Sequence, residues 1–265
     1  MEIHLELPSW FELLHVDLHH VKVLGIPLLY WVPVVMSLMV ALTLGGIVWL
    51  GTRRLERVPT RMQALCETVV EGLDTFFHSV LGDAASRYVP LLGSLFLYIL
   101  VMNWWAQLPG MAAATSKLST TVALAVFVFG VTQYEGIRHA GVLGHLYHLA
   151  GGSDLKGMAL FIQLPLRALF LPLHLIGELA RPLSLSLRLF GNIMGEDTLI
   201  AVIVSMSVFV FQSIYLPLPL HFPLLFLGLL AGLLQALVFS LLSAIYIGGA
   251  VGAFEKHGEG EGAHQ

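Results

Sequence analysis

Length, composition and charge exclude most classes of protein for this chain. Its 265 residues are 57% hydrophobic and 11% charged, whereas a soluble domain carries about 25% charged residues, so a water-facing surface cannot be built. The 17 acidic against 13 basic residues leave no basic excess for nucleic acid, and one cysteine excludes a disulfide framework and a Cys-based metal cluster. We therefore predict an all-α membrane protein that forms a single integral membrane domain over residues 1–265.

The N-terminal segment, residues 1–29, is predicted to lie on the outer side of the membrane. Its first 20 residues contain four acidic residues and no Lys or Arg, which excludes the positively charged start of a signal peptide. The same stretch contains His4, His15, His19 and His20. No acidic or Cys partner stands at a recognised ligand spacing, so an interfacial segment is favoured over a metal site.

The first half of the chain is predicted to contain three membrane spans and one surface helix. The spans are the apolar runs 30–50, 90–108 and 118–134, since a helix needs about 20 apolar residues to cross the hydrocarbon core. Between the first two, residues 60–81 place apolar side chains such as Met62 and Leu65 at helical spacing, with charged residues on the other faces. This pattern is typical of an amphipathic helix lying on the membrane surface.

The second half is predicted to form two long helices, residues 164–211 and 223–254. A helix of more than 40 residues is about 60 Å long, twice the hydrocarbon thickness, so it must tilt or bend, at Pro172 or Pro182. Together with the three spans this makes about five crossings. Basic residues then cluster on one side, which places the N-terminus outside and the C-terminus in the cytoplasm; they are Arg53, Arg54, Arg57, Arg61, Arg87, Arg138, Lys156 and Lys256.

Ionisable residues within the first long helix point to function, because charges inside a membrane are costly. On a helical wheel a stripe about 80° wide holds Arg181, Arg188, Asn192 and Glu196, flanked by Ser184. Gln235 and Tyr246, eleven positions apart, share a face of the final helix. We expect the two polar stripes to face each other or an aqueous cavity, and Gln235 to lie across from Arg188.

Polar residues in spans also have a structural interpretation, as hydrogen bonds between helices. Arg181 fits that interpretation because it can pair with Glu178 three residues earlier or extend its head to the interface. Gln235 is compatible with either role. Arg188 is the hardest to explain structurally, since a permanent cation needs a partner or a purpose.

Residues 181–192, which read R-P-L-S-L-S-L-R-L-F-G-N, closely resemble the signature of subunit a of the F-type ATP synthase membrane sector. Residues 234–236 through Tyr246 resemble that family's last helix. Three earlier segments are similar to it as well: residues 90–103, 108–110 and 120–125. The resemblance covers residues 59–251.

This resemblance implies a stator subunit that is not itself catalytic. Such a subunit provides two offset half-channels for protons, and their translocation is coupled to rotation of a c-subunit ring and to ATP synthesis. The implied partners are the c ring, against which the last two helices tilt, b-type peripheral-stalk subunits and the lipid bilayer, with no cofactor. The implied location is the bacterial inner membrane.

The family's functional residues map onto this sequence one by one. The essential arginine corresponds to Arg188, and its polar neighbours correspond to Asn192 and Gln235. The acidic residue nine positions after the arginine is Asp197, directly preceded by Glu196, and which of the two lines the channel stays open. The implied outer route therefore contains Asn192, Glu196, Asp197 and Gln235.

The cytoplasmic route departs from the family pattern. The glutamate that many relatives carry fourteen positions before the arginine is replaced by His174, which leaves the acidic role to Glu178 or to the histidine itself. The implied cytoplasmic route contains His174, Glu178 and Ser184. Lys117 stands in a loop where relatives often carry an acid, so no loop carboxylate is predicted at the channel entrance.

The sequence leaves three alternatives to this function. A sodium-translocating version of the same subunit differs mainly in the c subunit, and we take protons as the default. A secondary transporter would show internal repeats and broken helix pairs, which the sequence lacks. A purely structural scaffold would pair the buried arginine with a fixed acid, and residues 198–254 contain no Asp or Glu.

Overall fold

The computed structural model describes residues 22–23, 26–27, 31–53, 59–82, 85–108, 117–149, 160–214 and 222–262. Six helices make up almost all of these ranges. In chain order they are α1 (Val32–Thr52), α2 (Arg61–Leu81), α3 (Ala85–Ala106), α4 (Leu118–Leu149), α5 (Leu160–Ile214) and α6 (Phe222–Gly262). Before them, the short antiparallel strands β1 (Lys22–Val23) and β2 (Ile26–Pro27) pair Lys22 with Pro27 and Val23 with Ile26.

Four of these helices are long and apolar enough to cross a membrane. Within the described ranges they are Val32–Thr52, Ala85–Ala106, Leu118–His139 and Leu225–Val251, with mean hydropathy between 1.3 and 2.4. The prediction of an all-α membrane protein is confirmed. A fifth crossing, along α5, stays a prediction.

Two helices extend beyond the ranges that the sequence predicts. Helix α3 begins at Ala85, five residues before Pro90. The proline is tolerated there because the hydrogen bond it removes is close to the helix start, beside the exposed Ser86. Helix α6 continues to Gly262 because no proline follows Pro223 to interrupt it.

Local sequence explains two other boundaries. The Thr60 hydroxyl caps α2 by accepting a hydrogen bond from the backbone N–H of Gln63, 3.4 Å away. Helix α4 extends past the predicted end at Tyr134 and kinks at Gly141, whose φ of 70° is favourable only for glycine. The four N-terminal histidines of the predicted outer segment lie outside the described residues.

Three buried clusters hold the helices together. The central one joins α3, α4, α5 and α6 through Ile99, Val128, Leu189 and Phe239. A second joins α1 to α3, and a third joins α2 to α3 and α6 around Phe77. Because Leu185, Leu189 and Ile193 are the buried hydrophobic residues on the described part of α5, this packing sets which face of α5 points outward.

Candidate functional site

Arg188 lies on an exposed face of α5, to one side of the stripe of buried residues through which that helix packs. Its side chain is exposed, whereas Leu185 and Leu189 on either side of it are buried. Among the residues that the structure describes, Arg188 takes part in no hydrogen bond or ion pair. The guanidinium is therefore available to a group that the described part of this chain does not supply.

The surface around Arg188 is small or apolar. Gly191 and Gly195 share its face of the helix, and a Cβ added to either would meet no atom within 4 Å. Further along the same face, Leu199, Val202 and Met206 are each at least half exposed. Another helix could approach this surface closely, with Arg188 as its charged residue.

A first polar group lies on the C-terminal side of Arg188; we call it the Glu196 group, and it consists of Gln107, Asn192, Glu196 and Gln235. Asn192 Nδ2 donates a hydrogen bond of 2.6 Å to Gln235 Oε1, which joins α5 to α6. Gln107 Nε2 donates to Glu196 Oε1, which joins the end of α3 to α5. Asn192 and Gln235, one from each of the two predicted stripes, are therefore in direct contact.

A second polar group lies on the N-terminal side; we call it the Glu178 group, and it consists of Gln133, Glu178, Arg181 and Tyr246. Gln133 Nε2 donates to one oxygen of the Glu178 carboxylate at 2.9 Å, and Arg181 Nη1 lies 2.6 Å from the other. The Arg181 guanidinium lies over the Tyr246 ring, 5.2 Å from its centre. A small cleft between α4, α5 and α6 is lined by Glu178, Arg181 and Tyr246.

The remaining sequence-predicted residues are more peripheral. Ser184 is exposed one turn before Arg188 and contributes no hydrogen bond to the Glu178 group within the described chain, while His174 is half-buried on α5. Asp197 is part of α5, but its side chain lies outside what the structure describes.

One expected contact is different in the structure. The sequence predicts that Gln235 holds Arg188, but the Gln235 oxygen instead accepts its hydrogen bond from Asn192. The rotation of α5 causes the difference, because packing of Leu189 turns Arg188 outward and leaves Asn192 at the boundary with α6.

Sequence reasoning missed Gln107 and Gln133, each an isolated amide at or near an apolar span, and that isolation was the signal that could have found them. It also missed Glu135, whose carboxylate is only 8% exposed. Glu135 accepts from Tyr88 Oη at 2.9 Å and from Arg87 Nη2 at 3.1 Å, and His139 Nε2 lies 3.5 Å away. The predicted span ended at Tyr134, so Glu135 was placed outside the membrane, although its spacing to Arg138 and His139 marks a helical cluster.

Comparison with known proteins shows the family of this chain. The family model described as ATP synthase A chain matches residues 34–248. This chain belongs to that family. It is 39% identical to ATP synthase subunit a of Protochlamydia amoebophila over 258 residues, which cover 97% of this chain and 91% of that protein.

Two other relatives give the same picture. ATP synthase subunit a 1 of Syntrophotalea carbinolica is 37% identical over 80% of this chain and 82% of its own length. ATP synthase subunit a 2 of a Bradyrhizobium species is 34% identical over 84% of this chain and 90% of its own length. Family membership and the apolar helices together identify an integral membrane subunit of the ATP synthesis and ion-transport machinery.

Proposed function

We propose that this chain is the stator subunit that carries protons past the c ring of an F-type ATP synthase through two offset half-channels. The observation that carries the proposal is Arg188, an exposed cation on an apolar helix face with no ionic partner among the described residues. An arginine in mid-membrane costs about 2.5–3.5 kcal/mol even by the lower estimates. A carboxylate from a neighbouring subunit would offset that cost.

The surface around Arg188 supports a rotating partner rather than a fixed one. Gly191 and Gly195 leave open space beside the arginine, and the rest of the face is apolar. Such a surface allows close approach of successive identical helices without locking any of them in place. A ring of c subunits, each with one lipid-facing carboxyl group, has that chemistry.

Two polar groups at different heights support two separate half-channels. Glu178 is ten residues before Arg188 and Glu196 is eight residues after it, which places them about 15 Å and 12 Å from it along the helix axis. The Glu196 group, with Asp197, supplies the route to the outside. The Glu178 group, with His174 and Ser184, supplies the route to the cytoplasm.

Arg188 separates the two routes electrostatically. A ring carboxyl group that faces lipid must be protonated, because an isolated charge there is prohibitively costly. When rotation brings it beside Arg188, the cation favours the ionised form and the proton leaves into one half-channel. The carboxylate then accepts a proton from the other half-channel before it returns to lipid. Each charge that crosses contributes about 2.3 kcal/mol per 100 mV, so several crossings drive the synthesis of one ATP.

The orientation and further partners follow from the same proposal. Arg53, Arg61 and Arg87 lie at or near helix ends, and Arg138 lies next to the end of the candidate span Leu118–His139. The proposed crossings bring these basic residues to one side, which favours the cytoplasm for that side and for the C-terminus. A protease added to inside-out vesicles should then remove a C-terminal tag, while an N-terminal tag stays protected. We also propose the bacterial inner membrane as the location and b-type stalk subunits as neighbours.

The deciding experiment measures proton flux through vesicles that contain the membrane sector without its catalytic part. Arg188→Ala should abolish proton-driven ATP synthesis in the complete enzyme and let protons leak through the assembled sector. Arg188→Lys should also abolish synthesis, because lysine lacks the planar fork and loses its proton more easily when desolvated. Ser205→Ala is the matched control, since among the described residues the Ser205 hydroxyl bonds only to the Ala201 carbonyl of its own helix.

Co-purification of subunit c shows whether each variant assembles. An assembled Arg188→Ala enzyme that makes ATP at the wild-type rate would refute the proposal, and one that is inactive but proton-tight would refute the sealing role alone. Sodium-dependent synthesis that persists in the presence of a protonophore would instead identify the sodium-translocating version.

A further inference from the structure

We propose that Gln107 is a positioning residue of the outer half-channel, and that it makes Glu196, not Asp197, the carboxylate of that route. This inference rests on the proposed function. It extends the proposed function by choosing between Glu196 and Asp197, the two adjacent acids that the sequence leaves as alternatives. Its basis is the hydrogen bond from Gln107 Nε2 to Glu196 Oε1.

The position of Gln107 is set by contacts between α3 and α6. Gln107 directly follows α3, and its backbone N–H bonds to the Trp104 carbonyl at 3.1 Å. Trp104 Nε1 donates to the Leu229 carbonyl at 3.0 Å, and Asn103 Nδ2 donates to the Gly232 carbonyl at 3.1 Å. These bonds hold the last turn of α3 against α6. They therefore fix the position from which the Gln107 side chain extends to Glu196 on α5.

Gly228 makes the space in which the two side chains meet. A Cβ at that position would overlap both Glu196 Oε1 and Gln107 Nε2. Both atoms are the ends of flexible side chains, so a Cβ on Gly228, which is buried on α6, would displace them and break the contact between them. The contact between Gln107, at the end of α3, and Glu196, on α5, therefore lies against α6 and requires glycine at position 228 of α6.

The other end of the Gln107 amide is suited to proton transfer. Its Oε1 is buried and accepts no hydrogen bond from the described residues, although a buried acceptor is costly to leave unpaired. That oxygen can accept from a proton-carrying water while Nε2 holds the Glu196 carboxylate. Asp197 is about 100° further around the helix, so Gln107 cannot orient both acids in this way.

The test is a pair of double-mutant cycles measured as proton-driven ATP synthesis. Gln107→Leu should lower the rate about tenfold, the effect of removing a hydrogen bond to a charged group. In a Glu196→Gln background it should cause no further loss, whereas in an Asp197→Asn background it should cause the full loss. The optimum against outer pH should also move upward in Gln107→Leu, because the donor favours the ionised carboxylate and its removal favours the protonated one.

Gly228→Ala provides a second variant in case Gln107→Leu does not assemble, and it should show the same dependence on the two backgrounds. An equal loss from Gln107→Leu in both backgrounds, or no loss in either, would overturn the inference. If that happens while Arg188→Ala still leaks protons, the proposed function stands and only the role of Gln107 fails. If Arg188→Ala assembles and still synthesises ATP, both fail.

Discussion

Asn192 and Gln235 join the two long helices through a hydrogen bond of 2.6 Å, from the amide nitrogen of Asn192 to the amide oxygen of Gln235. The bond lies one helical turn beyond Arg188, and Gln235 is almost completely buried. It therefore fixes the height of α6 relative to the arginine. The two amides act as a pair, so substitutions of Asn192 and Gln235 should have non-additive effects.

We expect Gln235→Leu to lower proton-driven ATP synthesis about tenfold while subunit c still co-purifies, because a single interhelical bond of about 1–1.5 kcal/mol is lost. Asn192→Leu should have a similar effect. The double variant should be little worse than either single one, with a coupling of about 1 kcal/mol. Independent effects in this cycle would contradict the pairing, and Gln235→Glu, which keeps the acceptor oxygen, should retain more activity than Gln235→Leu.

The function of the Glu178 carboxylate in transport should depend on the hydrogen bond that Gln133 of α4 donates to it. Gln133→Leu removes the 2.9 Å hydrogen bond to one of its oxygens, so synthesis should fall about fivefold to tenfold, with the dependence on cytoplasmic pH altered. Thr121→Val is the control on the same helix, because the Thr121 hydroxyl bonds to the Leu118 carbonyl within α4. A Gln133→Leu enzyme indistinguishable from this control would remove Gln133 from the route.

Glu135 should matter for stability more than for transport. Glu135→Gln leaves Arg87 without its charge partner and should destabilise the subunit by about 1–3 kcal/mol. Tyr88→Phe should cost about 1 kcal/mol, and Arg138→Ala less, since that guanidinium is 4.0 Å from Glu135 and 55% exposed. The measurement is the temperature at which the purified membrane sector releases this subunit, and a different ranking of the three variants would contradict the stabilising role of Glu135.

Gly232 should not tolerate a side chain. A Cβ there would lie 3.0 Å from the Asn103 Cβ, and Asn103 cannot retreat without losing its bond to the Gly232 carbonyl. Gly232→Ala should therefore cost about 1–3 kcal/mol by overpacking, seen as a lower release temperature. Gly46→Ala is the matched control, because a Cβ on that α1 glycine meets no atom within 4 Å. Equal release temperatures for the two variants would contradict the prediction, since they would show that α3 and α6 can move apart to admit the side chain.

Much of this protein was predictable from local features of the sequence. The low content of charge and the long apolar runs determine a helical membrane protein, because each span must satisfy its own backbone hydrogen bonds. The helical period alone also places Arg188, Asn192 and Glu196 on one stripe, and the cost of burying charge marks Arg188 as a functional residue. These properties depend on one helix at a time.

The tertiary structure decided which partner each polar side chain has. Gln235 bonds to Asn192 and not to Arg188, Glu196 is reached by Gln107, and Glu178 is reached by Gln133. These pairings depend on the rotation and height of each helix relative to its neighbours. Those quantities are set by the packing of buried side chains such as Leu189 and Phe239 from four different helices, and no periodicity within a single helix contains them.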